Sequence, residues 1–300
     1  MPGLMPSAND DTLRGLVGRA VAGDASALEE LVANLATPMY NLALRMLWHP
    51  HDAEDAVQEI LIKVVTGLRS FRGHSSVTTW SYRIAVNHLL TSKRRRSERM
   101  QMSFEQHAED LATGLDTLIS SGLGVEDAVL ETEVKVGCTH AMLLCLGREA
   151  RMAFILGEVF DVPAADAAAL CAISGATYRK RLSRAKAAIR EYMEQQCGLV
   201  NPTNACRCSR RVGAAIQLGR VTPGQLHFVD SDTSVVNEGV REMEQLHDAA
   251  AVFHSAPMYR APQRLADGVS RLLASRRWTV LDPPASPETP HHREGGASRR

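Results

Sequence analysis

From Gln101 to Val134 the chain carries Glu105, Glu109, Asp110, Asp116, Glu126, Asp127, Glu131 and Glu133, and not one lysine or arginine. A run of like charge repels itself and stays at the surface, so it reads as a tether that divides the chain. The flanking parts have the opposite sign. Between Arg69 and Arg99 stand Arg69, Arg72, Arg83, Lys93, Arg94, Arg95, Arg96 and Arg99, opposed by Glu98 alone: eight positive charges less one, or +7. A second basic run, Arg179, Lys180, Arg181, Arg184, Lys186 and Arg190, has no acid between Ala167 and Arg190. The whole-chain balance, 34 against 34, would argue against a polyanionic partner only if the charges were evenly spread. They are segregated into two basic surfaces on either side of an acidic connector.

Both basic runs continue segments of helical periodicity. A chain of 300 residues allows two or three compact units, and aromatics at 5% favour small helical bundles over a large sheet core. From Ala27 to Leu47, Leu28, Leu31, Val32, Leu35, Met39, Leu42, Met46 and Leu47 recur at helical spacing, with Asp24 as N-cap and Pro38 able to bend or restart the helix. The next helix starts at Asp52 and carries the stripe Ala56, Val57, Ile60, Leu61, Val64, Val65, Leu68 opposite an acidic face. Gly67 and the stretch Phe71 to Ser76 end it, and Thr79 to Arg96 forms a third. The expected fold is all-α. A lead (1–24) precedes a first helical domain (25–97), an acidic linker (98–124) that is mobile or only locally helical, and a second helical domain (125–196). A cysteine-containing segment (197–211), an extension (212–279) with a helical candidate from Val235 to Phe253, and a disordered proline-rich tail (280–300) follow.

Two constellations carry function. Around the turn Ala172-Ile173-Ser174, Asp166 to Cys171 supplies small and apolar residues for close helix packing, and Ser174 caps a basic helix bearing Thr177, Tyr178, Arg179, Lys180, Arg181, Arg184 and Lys186. This is where a helix-turn-helix presents its recognition helix to the major groove; a solvated basic face on an ordinary helical hairpin is the plain alternative. In the other, Phe71, Arg72, Trp80, Tyr82, Arg83 and Asn87 lead into Lys93, Arg94, Arg95 and Arg96. Aromatics interleaved with cations suit single-stranded nucleic acid, where rings stack on unpaired bases while cations hold phosphates; Trp80 and Ile84, one helical turn apart, also suit a core.

Taken together, residues 25 to 195 resemble the extracytoplasmic-function branch of the sigma-70 family. The resemblance implies that Asp52, Glu54, Asp55, Gln58 and Glu59 dock on the clamp coiled coil of the largest subunit of core RNA polymerase. It further implies that Phe71 to Asn87 with the following arginines opens and reads the promoter −10 element, that the helix-turn-helix reads the −35 element, and that the linker threads near the RNA exit path as a mimic of nucleic-acid charge. Promoter DNA, core polymerase (clamp and flap) and an anti-sigma factor are the partners it allows. This sequence departs from the family pattern at Thr91, at Gly147 and at Asp166-Ala167-Ala168, which bears on promoter sequence.

Cys138, Cys145 and Cys171 fall in apolar helical surroundings, where a thiol acts as a small hydrophobe. Cys197, Cys206 and Cys208 form a cluster that binds a metal ion or senses oxidation, or else sits as incidental thiols in an exposed loop. Structural zinc wants four ligands, so His227 or another residue would complete the set, and Arg207, Arg210 and Arg211 should favour thiolates. The core function requires no cofactor. Catalysis is not expected, because His227, Asp230, His247 and His254 show neither metal-ligand spacing nor a nucleophile partner. No window approaches the roughly 20 apolar residues of a membrane span and no signal core opens the chain, so the expected location is the cytoplasm. The alternative function is a helix-turn-helix regulator acting on duplex operator DNA without polymerase.

Overall fold

The computed structural model describes residues 9–92, 102–112, 125–228, 249–254 and 258–274. Every regular element among them is a helix. Lys93 to Arg96, residues 113–124 of the linker, most of the Val235–Phe253 candidate and the tail lie outside the described residues.

Helix α1 (Asp10–Val21) opens under an Asn9 cap, whose side chain accepts from the Thr12 amide, with Asp10 and Asp11 on the positive end of its dipole. Its stripe Leu13, Leu16, Val17 and Ala20 is buried, so the part expected as a lead is a fourth helix of the first bundle. Burying one such leucine stabilises by roughly 2 kcal/mol, which is why α1 docks once its stripe forms. Helix α2 (Ala25–Leu47), capped by Asp24, runs unbroken through Pro38. Helix α3 (Pro50–Gly67) starts on a proline, whose missing N–H costs nothing in a first turn. Helix α4 (Val77–Thr91) starts under Ser76, which accepts from the Thr79 amide at 2.9 Å.

The linker contains helix α5 (Phe104–Ala112). Helices α6 (Val125–Cys145) and α7 (Arg148–Phe154, continued by a π turn to Val159) follow, then α8 (Ala164–Leu170) and α9 (Gly175–Gln196). Arg151 is 5% exposed and donates to the carbonyls of Leu143, Leu144, Leu146 and Met46. One guanidinium thus satisfies the end of α6 and joins it to α2. Gly157 in the π turn lets α9 close in: a Cβ there would meet Leu182 and the Tyr178 hydroxyl at 2.7 Å. The two helical units share one continuous core.

Beyond α9, a loop leads to helix α10 (Cys208–Gln217), where the sequence suggested a polar loop. Its Arg211 donates to the Leu111 carbonyl, and Arg220 forms a two-bonded ion pair with Asp110 at 2.6 and 2.7 Å. The described part of the acidic linker is therefore packed against the extension. Helices α11 (Ala249–His254) and α12 (Gln263–Ala274) complete the fold.

Candidate nucleic-acid interface

The loop between α3 and α4 is held by α1. Asp10 accepts from the Val77 amide at 2.7 Å, so it caps α4 from another helix. Arg14 pairs with Asp10, donates to the Ser75 carbonyl at 2.7 Å, and places its guanidinium over the Phe71 ring at 5.7 Å. Phe71 in turn lies 5.3 Å from Trp80, centroid to centroid. Both rings are half-buried, with Arg72, Arg83 and Asn87 exposed nearby in sequence. A half-buried aromatic pair keeps part of its ring surface accessible, which is what stacking on unpaired bases requires. Sequence reasoning missed Asp10 and Arg14 because their partners lie 67 and 61 residues away. The available signal was the α1 stripe itself.

In the helix-turn-helix, Ser174 caps α9 by accepting from the Thr177 amide at 3.1 Å. Ala172 holds the turn at φ 53°, a left-handed conformation that costs a residue with a Cβ about 1 kcal/mol. Thr177, Arg179, Lys180 and Arg184 are exposed on α9. Arg181 is paired with Glu149 and Lys186 with Glu158, each at 2.6 Å, so their charge is partly spent inside the protein.

On α3, Asp52 is half-buried with one carboxylate oxygen that has no hydrogen-bond partner among the described residues, while Asp55 and Glu59 are exposed. Glu54 is engaged by Arg264 of α12, which donates to both its oxygens, one at 2.8 Å. Gly268 lies against Gln58, whose amide nitrogen is 3.5 Å from where a Cβ would stand. No sequence signal links Arg264 to Glu54.

The family model for Sigma-70 region 2 matches residues 17–99, and that for Sigma-70 region 4 matches residues 137–189. The chain is 31% identical over 177 residues to the ECF RNA polymerase sigma-E factor of Escherichia coli, spanning 58% of this chain and 90% of that protein. The chain belongs to the sigma-70 family of RNA polymerase sigma factors. It is also 26% identical over 171 residues to the ECF RNA polymerase sigma factor SigW of Bacillus subtilis (57% of this chain, 91% of that protein). The sigma factor RpoE, solved with the anti-sigma factor NepR from Bartonella quintana, matches at a TM-score of 0.36 and 23% identity (53% of this chain, 92% of that chain). The likeness is to the extracytoplasmic-function type, whose members are initiation subunits and not enzymes.

Two aromatics expected at the interfaces of this sigma factor lie in its core instead. Tyr82 is 1% exposed, and Tyr178 is 0% exposed with its hydroxyl donated to the Ala153 carbonyl. Both occupy the side of their helix that faces the bundle, so neither ring reaches solvent. Trp80 has a mixed position, with its indole against Gly67 and Phe71.

The cysteines also regroup. Cys138 of α6, expected as a core thiol, joins Cys197, Cys206 and Cys208 around one cavity of about 170 Å³. The exposed His227 is not among the cavity's lining residues. Arg211 and Arg207 do favour the Cys206 thiolate, as expected, but burial outweighs them and pushes that thiol up; burial likewise pushes the Cys208 thiol up to about 12. Arg207 spends its donors on the carbonyls of Pro202, Asn204 and Cys206. Among the described residues no helix is long and apolar enough to cross a membrane.

Proposed function

We propose that this sigma factor docks on the clamp coiled coil of core RNA polymerase through Asp52, Glu54, Asp55, Gln58 and Glu59 of α3. The assignment extends to promoter DNA: Phe71, Arg72, Trp80, Arg83 and Asn87, with Lys93 to Arg96, capture the unpaired −10 strand, and Ser174, Thr177, Arg179, Lys180, Arg181, Arg184 and Lys186 read the −35 element. Residues 25–97 then act as the docking and melting unit, and 125–196 as the duplex reader. The observation that carries this reading is the half-buried aromatic pair Phe71–Trp80, next in sequence to the exposed Arg72, on the bundle whose α3 presents the acidic face. Phosphate contacts supply salt-sensitive affinity and base contacts the preference. Unpairing costs a few kcal/mol, which captured bases and polymerase contacts offset. Neither step draws on a cofactor. The alternative, a regulator of duplex operators, leaves the acidic face of α3 and the aromatic pair without a use.

The test is transcription in vitro with core polymerase. Arg72→Ala and Arg83→Ala are expected to spare core binding and reduce promoter opening, and Arg184→Ala to weaken −35 binding. A purified chain that fails to associate with core polymerase, or initiates nothing once bound, refutes the assignment.

The extension regulates docking in cis. Support comes from α12, which packs on α2 and α3, pairs Arg264 with Glu54 and lies against Gln58, two members of the docking set. An anti-sigma factor is a further candidate partner for the same face. Arg264→Glu places like charges at that contact and should raise core affinity; an unchanged affinity removes cis regulation while leaving the docking assignment standing.

A further inference from the structure

Four thiols from two parts of the chain line a single cavity: Cys138 on α6, and Cys197, Cys206 and Cys208 in the stretch from the end of α9 to the start of α10. The backbones of Cys197 and Cys206 pair in an isolated bridge, and Cys208 follows two residues on. One buried cysteine is an ordinary small hydrophobe, but four brought to one cavity from separate elements need another explanation.

The loop between Cys197 and Cys208 is built to hold its ends. Asn201 and Asn204 both donate to the Glu194 carbonyl at 3.1 Å, finishing α9, and Asn204 also donates to the Cys197 carbonyl at 3.2 Å. The two backbone segments approach so closely that a Cβ on Gly198 would fall 2.1 Å from the Cys206 carbonyl oxygen. Cations stand close by to offset negative charge. Arg211 is 5% exposed and lines the cavity, Arg207 donates to the Cys206 carbonyl, and Lys135 acts electrostatically on Cys208.

We propose that Cys138, Cys197, Cys206 and Cys208 form a closed four-thiolate site for one divalent ion of the Zn²⁺ class, which fastens the extension to region 4. A d¹⁰ ion accepts tetrahedral sulfur ligands without a geometric preference of its own, and a site filled by four protein ligands is structural. Among the described residues no three side chains already converge at ligand distance; coordination turns the thiols inward, forms four metal–sulfur bonds and releases four protons to solvent. The resulting complex carries two negative charges, which Arg211, Arg207 and Lys135 surround. Cys145, whose thiol donates to the Ala141 carbonyl at 3.5 Å, and Cys171 in the helix-turn-helix turn lie outside the cavity lining and serve as internal controls. The site is independent of polymerase binding, so its failure and that of the sigma reading are distinguishable.

The test uses the full chain, untagged and reduced, supplied with Zn²⁺ and separately with Co²⁺. The expected result is one zinc ion per chain by elemental analysis, and for cobalt the intense sulfur charge-transfer and ligand-field bands of a tetrahedral four-thiolate centre. Cys138→Ser and Cys206→Ser should lose the ion, whereas Cys145→Ser and Cys171→Ser should keep it. Should Cys138→Ser fail to fold, alkylation of the wild-type chain decides: bound zinc must protect Cys138, Cys197, Cys206 and Cys208 and leave Cys145 or Cys171 to react. A chain that holds no zinc, a cobalt spectrum of fewer than four sulfurs, protection that omits Cys138, or a Cys197–Cys206 disulfide in the isolated chain each overturns the proposal.

Discussion

Replacing Asn41 by alanine should release the C-terminal segment from the first bundle. Asn41 sits fully buried on α2 and forms two reciprocal bonds with the backbone of Tyr259: its amide donates to the Tyr259 carbonyl at 2.7 Å and its oxygen accepts from the Tyr259 N–H at 2.9 Å. Arg45, stacked between Phe160 at 5.3 Å and Tyr259 at 5.0 Å, also donates to the Asn41 side chain. Alanine keeps α2 helical but leaves the Tyr259 N–H and C=O buried without their partner, at about 1–3 kcal/mol each. The attached state pays that cost, whereas in the detached state water solvates both groups. Taking roughly 3 kcal/mol for the pair, the equilibrium shifts about a hundredfold towards detachment. If α12 covers the docking face, apparent affinity for core polymerase rises by up to that factor, because only the uncovered fraction binds. Hydrogen exchange over Met258–Ala274 measures the release, and a core-binding titration measures its consequence. Lost protection with unchanged core affinity would refute masking, and retained protection would refute the role of Asn41.

Ala172→Gly should stabilise the protein by about 1 kcal/mol through relief of the left-handed turn residue, less the entropy glycine adds to the unfolded chain; a lower melting temperature contradicts this. Burial beside Tyr192 holds His107 down to about 4 from its ordinary 6.5. The unfolded chain therefore takes up a proton that the native chain refuses. Stability is full above about 6.5, falls by up to roughly 3 kcal/mol as the pH drops to about 4, and levels off below. Denaturant midpoints across that range should fall more steeply for the wild type than for His107→Gln, and parallel curves would exclude His107 as the cause. Arg184→Ala should reduce the slope of log affinity against log salt by about one for −35 duplex bound by the holoenzyme; an unchanged slope means Arg184 touches no phosphate.

What the sequence determined by itself was mostly local. The N-caps Asp24 and Ser174, the apolar stripes of α2 and α3, and the end of α9 at Gln196 follow from hydrogen bonds and periodicities that close within a few residues, and all are present in the fold. The family resemblance was legible for the same reason, since its motifs are short and ordered along the chain. Tertiary structure decided which face of each helix is covered and which charge meets which. Tyr82 and Tyr178 have polar tips and apolar bodies, so sequence suits them to either surface or core, and packing sent both inward. Arg264 reaches Glu54 across 210 residues, and Cys138 meets the other three thiols through the docking of α10 on α6. Such partners are chosen when helices pack, because a side chain's charge or sulfur specifies a kind of neighbour and only the assembled core brings a particular one within reach.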